Sequence, residues 1–148
     1  MKKIILFAVL PLFFMFACDE DDEVTTVDSS RPQGTFSVSR SGDFVEQNGT
    51  GTQGMAAVGT DEDGNSFIRF NDSFQTNLAT GTVAIFLSTS DTFMADPANG
   101  NPNLKLVGNV SMNGESYYPL SETVDSKYTH IILWCASANI PFGYAPLQ

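Results

Sequence analysis

The sequence is short of the side chains on which most chemistry depends. Its 148 residues include one histidine, His130, and two cysteines, Cys18 and Cys135. A blue-copper site takes two histidines and a cysteine, and a catalytic zinc site takes two or three nitrogen ligands, so one histidine furnishes neither. Bis-histidine haem ligation fails on the same count, and no spacing sets Met55, Met94 or Met112 opposite His130 as a second haem ligand. No metal ligand and no cofactor is therefore assigned. Nucleophilic catalysis would also have to recruit His130, and there is no Gly-x-Ser-x-Gly turn to expose a serine. Most carboxylates fall in an N-terminal run or around Asp61 and Asp63 rather than as a facing pair. No catalytic residue is assigned, and the chain is read as a non-enzyme.

Positive charge is scarce as well. Seven Lys and Arg stand against 17 Asp and Glu, for a net charge of −10. Such a chain cannot neutralise a run of phosphates, which excludes nucleic acid as a partner. What remains is a chain 42% hydrophobic and 11% aromatic, enough for one packed domain and too ordered in composition for wholesale disorder.

The longest apolar run is at the start. Lys2 and Lys3 precede residues 4–17 (IILFAVLPLFFMFA), which are too few to span a bilayer comfortably and are interrupted by Pro11. Met15-Phe16-Ala17-Cys18 closes the run and resembles a bacterial lipobox, with Met15 and Phe16 departing from its preferred residues. Residues 1–17 are thus expected to be a lipoprotein signal peptide, and Cys18 the lipidated mature N-terminus carrying palmitate-type chains. Five acids follow, Asp19 to Glu23, and resemble the surface-export signal of Bacteroidota lipoproteins. Residues 18–33 are expected to be an acidic flexible tether. Removing residues 1–17 leaves five basic residues, too few for a polybasic clamp on anionic lipid. Membrane attachment is accordingly expected through the N-terminal acyl chains, at the outer membrane of a bacterial envelope and facing the surface.

Residues 34–148 read as short strands punctuated by Gly, Asn and Pro. Candidate strands cover residues 35–39, 54–60, 66–71, Val83–Ser88, 104–110, 115–120 and His130–Cys135. No stretch sustains a helical apolar period; residues 72–78 could hold one helical turn at most. The expected fold is all-β, a single antiparallel β-sandwich of Greek-key or barrel-like type. Asp61-Glu62-Asp63-Gly64-Asn65 reads as a solvated hairpin turn rather than a calcium loop, because strand residues resume before a terminal bidentate Glu could appear. In the apolar run His130–Cys135, alternation puts Ile131, Leu133 and Cys135 on one face and His130, Ile132 and Trp134 on the other. Phe67, Phe70, Phe86, Tyr117, Tyr118, Trp134 and Phe142 are read as core.

Trp134-Cys135, followed by Phe142, Gly143, Ala145 and Leu147, resembles the closing signature of the DM-thirteen domain family. Leu106, Gly108, Gly114 and Tyr118 resemble its Leu-x-Gly…Gly-x-x-x-Tyr hairpin, and Phe70, Phe74, Thr76 and Asn77 its middle segment. Ala138 and Ser116 depart from the family's usual residues, and residues 79–82 lack its Gly-Pro-Asp. The resemblance spans residues 34–147. It implies a β-sandwich-like module, found also beside cytochrome-like domains, with a redox role through the characteristic cysteine, here Cys135. Read from the residues alone, Cys135 is a buried small hydrophobe made quiet by desolvation, which raises a thiol's pKa. Two functions stay open: an accessory redox or electron-transfer module working with a redox or envelope protein, or a non-catalytic binding or adhesion module with a structural cysteine. An exposed thiol near positive charge would favour the first, and a sealed one the second.

Overall fold

The computed structural model describes residues 28–148, so the expected signal peptide, Cys18 and the acidic run Asp19 to Glu23 lie outside the described residues. The described chain forms nine strands and no α-helix: β1 (Ser37–Asp43), β2 (Val45–Glu46), β3 (Met55–Thr60), β4 (Ser66–Phe70), β5 (Val83–Ser88), β6 (Leu104–Asn109), β7 (Ser116–Leu120), β8 (His130–Cys135) and β9 (Ile140–Pro146). They pair into a four-stranded sheet, β1-β3-β4-β7, and a five-stranded sheet, β2-β9-β8-β5-β6. All pairings are antiparallel. The expected β-sandwich is therefore what the chain forms. The helical turn allowed for residues 72–78 is absent, and a single 3-10 turn sits instead at Pro97–Asn99.

Period-2 alternation decides which residues meet between the sheets. Ala56, Val58, Ile68, Phe70 and Tyr118 come from the first sheet, and Val83, Ile85, Leu87, Ile131, Leu133, Cys135, Phe142 and Ala145 from the second. Phe44 and Phe74 fill the space between, with Phe70 and Phe74 ring centroids 4.3 Å apart and Phe44 set edge-on to Phe70 at 5.2 Å. Only Phe44 separates β1 from β2, so one continuous stretch of chain forms an edge of each sheet. At that corner Gly42 leaves no room for a side chain, since a Cβ there would lie 1.7 Å from the Pro146 carbonyl oxygen.

Several aromatics expected in the core instead face outward and are covered by non-strand segments. Phe67 lies on the outer face of the first sheet yet is 2% exposed, because Phe36 packs edge-on against it and against Tyr117. Trp134 and Phe86 lie on the outer face of the second sheet. Phe93, from the β5–β6 connection, stacks on Trp134 at 4.1 Å and 13° and meets Phe86 edge-on.

The strands run between two poles. At one lie the turn at residues 61–65, the β5–β6 connection and the β7–β8 connection at residues 121–129. At the other lie residues 47–54, 71–82, 110–115 and 136–139. Cys135, the last residue of β8, opposite Val83 and Ile140, belongs to the second pole.

Candidate functional site

Alternation along β8 places Cys135 on the inner face, as Ile131 and Leu133 are, and its side chain is fully buried (0% exposed). The register that pairs Cys135 with Val83 also brings the segment before β5 over the sulfur. Ser137 Oγ lies 3.3 Å from the Cys135 Sγ and Thr82 Oγ1 3.7 Å from it. Thr82 donates its hydroxyl proton to Ser137 Oγ at 2.8 Å, which leaves the Ser137 proton free to point at sulfur. The Ser137 backbone N–H returns a bond to Thr82 Oγ1 at 3.2 Å, locking the two segments together above the thiol. Thr80, whose hydroxyl oxygen is sealed from solvent and makes no hydrogen bond, lies close enough to lower the thiol's pKa as well. The Ala138 backbone N–H completes the cradle.

The cradle changes the chemistry expected of a buried thiol. Burial alone raises the pKa, and it is the largest single influence here. The groups around it, Ser137 first, then Thr80, the Ala138 backbone and Thr82, together outweigh it and bring Cys135 down to about 6. The expectation of a thiol quietened by desolvation is thus corrected: the sulfur is sealed, as expected, but its anion is stabilised. No cation does this, for residues 73–90 and 128–148 contain no Lys or Arg, and His130 sits on the opposite face at the far end of β8. The stabilisation comes from hydroxyl and amide dipoles aimed at one atom.

The remaining predicted residues have structural positions. Phe142 (2%), Ala145 (0%) and Leu147 (7%) are buried, and Leu147 N–H donates to the Thr129 carbonyl at 2.8 Å. Gly143 is a point of close approach on β9: a Cβ would lie 2.8 Å from the Val45 carbonyl oxygen and 2.9 Å from Thr52 Cγ2. Trp134 is half-buried beneath Phe93. The His130 ring is half-buried, with Nδ1 2.8 Å from Thr129 Oγ1 and Tyr144 at its edge. Cys18, the expected lipidation residue, lies outside the described residues.

The turn at residues 61–65 is the expected hairpin loop, exposed at Glu62, Asp63, Gly64 and Asn65, with Asp61 buried at its base. Asp61 is 6% exposed and accepts the Asn65 backbone N–H at 2.8 Å, the Asn65 side-chain amide at 3.1 Å and the Gln33 N–H at 3.0 Å. Desolvation opposes these bonds, yet they hold its carboxyl below the ordinary carboxylate range. Glu62 accepts the Thr35 N–H at 2.9 Å and is lowered by that bond.

Thr80, Thr82 and Ser137 were not identified from the sequence. Two of them precede β5 by one and three positions, and only the β5–β8 register, which joins segments 52 residues apart, reveals what they face.

A two-sheet antiparallel sandwich with a sealed, dipole-stabilised cysteine at one pole is the class of domain this chain forms. The family described as Electron transfer DM13 matches residues 43–147, and the chain belongs to that family. No curated protein and no solved structure is significantly similar to it. The match begins at the end of β1, so most of that strand and the segment before it precede the shared region.

Proposed function

We propose that this is a lipid-anchored envelope protein whose DM13 domain serves as an accessory redox module, exchanging electrons through Cys135 without a cofactor of its own. The observation that supports this reading most is the cradle of hydroxyl and amide groups around a thiol brought to about 6, in a family described by electron transfer. At pH 7 a thiol of that pKa is about 90% ionised, whereas an ordinary one is about 1% ionised. The thiolate is the reactive form. It can attack a partner's disulfide, forming one S–S bond while the partner's other sulfur leaves as thiolate.

The complete burial of Cys135 favours the alternative, a binding or adhesion module with a structural cysteine. The two separate in the pH dependence of alkylation by a neutral reagent. The plateau rate reports how often the Thr82–Ser137 cover opens, and the midpoint reports the thiol's own ionisation. Slow labelling with a midpoint near 6 and loss of cellular function in Cys135→Ser support the redox reading. A midpoint near 9, or full function in Cys135→Ser, leaves the structural one.

A further inference from the structure

An irregularity in β1 decides where Arg40 points. Val38 pairs with Gly59 and Arg40 with Val58, so Ser39 is an extra residue between two successive pairs. The Ser39 hydroxyl donates to the Val58 carbonyl at 3.0 Å, which holds the bulge in place. Unbroken alternation from the exposed Val38 would have turned Arg40 to solvent. Val58 is an inner-face residue, and directly opposed residues of an antiparallel pair share a face. The bulge therefore aims the guanidinium between the sheets.

There Arg40 meets the β7–β8 connection. Its Nη1 donates to the Tyr128 carbonyl at 2.7 Å and its Nη2 to the Asp125 carbonyl at 3.5 Å. The ends of the connection are pinned as well: Glu122 pairs with Lys105, and Thr129 Oγ1 donates to the Thr89 carbonyl at 3.1 Å. Carbonyls are neutral acceptors and leave the guanidinium charge uncompensated. Arg69 and Lys105 are neutralised by Glu115 and Glu122, whereas Arg40 makes no ion pair among the described residues, in a chain of net charge −10. A half-buried cation without a counter-charge carries a desolvation cost that a bound anion would offset.

Beneath the connection lies a cavity of about 320 Å³, whose walls include Arg40, Val58, Thr60, Ser66, Thr123 and Val124. Small-molecule pockets run from about 300 to 1,000 Å³, so this one suits a small ligand. Its surface is mainly apolar, with Val58 coming from β3 and Val124 from the connection, where it packs against the core. Among the described residues Arg40 is the only ionisable side chain that lines it.

We propose that this cavity binds a small monocarboxylic acid with a short hydrocarbon body. The carboxylate takes the N–H groups of Arg40 that Tyr128 and Asp125 leave unused, a planar donor set that matches two oxygens. The hydrocarbon covers Val58 and Val124. A single cation excludes phosphate esters and dicarboxylates, whose second charge would be buried without a partner. An inorganic anion would leave the apolar walls uncovered, and a sugar would bury its hydroxyls against them. The bound acid bridges β1 and the β7–β8 connection, so occupancy also slows opening of residues 121–129. The cavity is at the pole opposite Cys135 and stands independently of the redox reading.

The test titrates hexanoate by calorimetry into the full chain in a non-ionic detergent at neutral pH, with a titration into detergent alone subtracted. Hexanoate should bind saturably, and hexanamide, its uncharged counterpart, at least tenfold more weakly. Arg40→Gln should abolish the difference between acid and amide. Because that change also cuts the bonds to Tyr128 and Asp125, Ser66→Leu is the second variant. It fills the cavity, leaves Arg40 in place and should weaken hexanoate at least tenfold. In the wild type, hexanoate should slow amide exchange within residues 121–129. The proposal is overturned by an absence of saturable hexanoate binding, by equal affinity for the amide, or by phosphate competing as well as hexanoate does. Hexanoate affinity unchanged in Ser66→Leu overturns it too. The comparison of acid with amide in the wild type decides even where neither variant folds.

Discussion

Ser137→Ala should raise the pH at which Cys135 ionises. Ser137 is foremost among the contacts that favour the anion, with its Oγ 3.3 Å from the sulfur. A hydrogen bond to a charged group contributes about 1.5–3 kcal/mol, and 1.36 kcal/mol corresponds to one pKa unit, so the midpoint should rise by about one to two units. Ionisation at pH 7 would then fall from about 90% to between roughly 50% and 10%. The turn should survive, because the Ser137 backbone N–H keeps its bond to Thr82 Oγ1. Thr82, released from donating to Ser137, can turn its proton to the sulfur and recover part of the loss, so Thr82→Val with Ser137→Ala should shift the midpoint further. The assay is the alkylation rate as a function of pH, scored by its midpoint and not by its plateau, since loosening the cover raises the plateau independently. A wild-type midpoint near the ordinary thiol value of 9.0, or one that Ser137→Ala leaves in place, refutes the argument that the cradle stabilises the thiolate.

Folding stability should carry the same signature. The folded thiol titrates near 6 and the unfolded one near 9.0, so the folded state holds fewer protons across that window. Stability should therefore rise with pH between them and fall away as pH drops through 6, a slope read from denaturant midpoints that Cys135→Ala removes. Phe74→Ala, at the centre of the aromatic contacts, should cost about 3–5 kcal/mol in denaturant unfolding; a cost under 1 kcal/mol would mean the two sheets close over the gap. The strap at residues 33–36 should become protease-sensitive in Asp61→Asn with Glu62→Gln, and in the wild type as acid protonates both carboxylates. Unchanged cleavage in the double variant would show that Phe36 alone holds it.

The strands that are continuous apolar runs were legible: Val83–Ser88 and His130–Cys135 have the expected bounds at both ends. β1 was placed too early, because its second half, Arg40-Ser41-Gly42-Asp43, is polar and its register slips between Val38 and Arg40. β9 was not recognised as a strand, since Pro141, Gly143 and Pro146 all speak against one. Its prolines are tolerated because β2 spans only two residues, opposite Tyr144 and Gly143, leaving the positions of Pro141 and Pro146 without a partner on that side. Of the candidate site, Cys135 and its inward direction were readable from the period of β8. Its pKa was not, for the donors that set it come from a long-range register and from a turn of small residues that carries no local signal.

The corner at Phe44 has a mechanical side. A pull transmitted through residues 28–36 reaches Ser37 and then runs lengthwise along β1. That strand is paired with β3 on both sides of the irregularity at Ser39, and the same stretch of chain continues past Phe44 to bond β9 through β2. The load is therefore carried by many hydrogen bonds at once, in shear, instead of opening them one by one. It is shared between both sheets before it reaches the loops above Cys135. Force on the N-terminal segment is spent in the strands, and the sulfur's cradle stays unloaded.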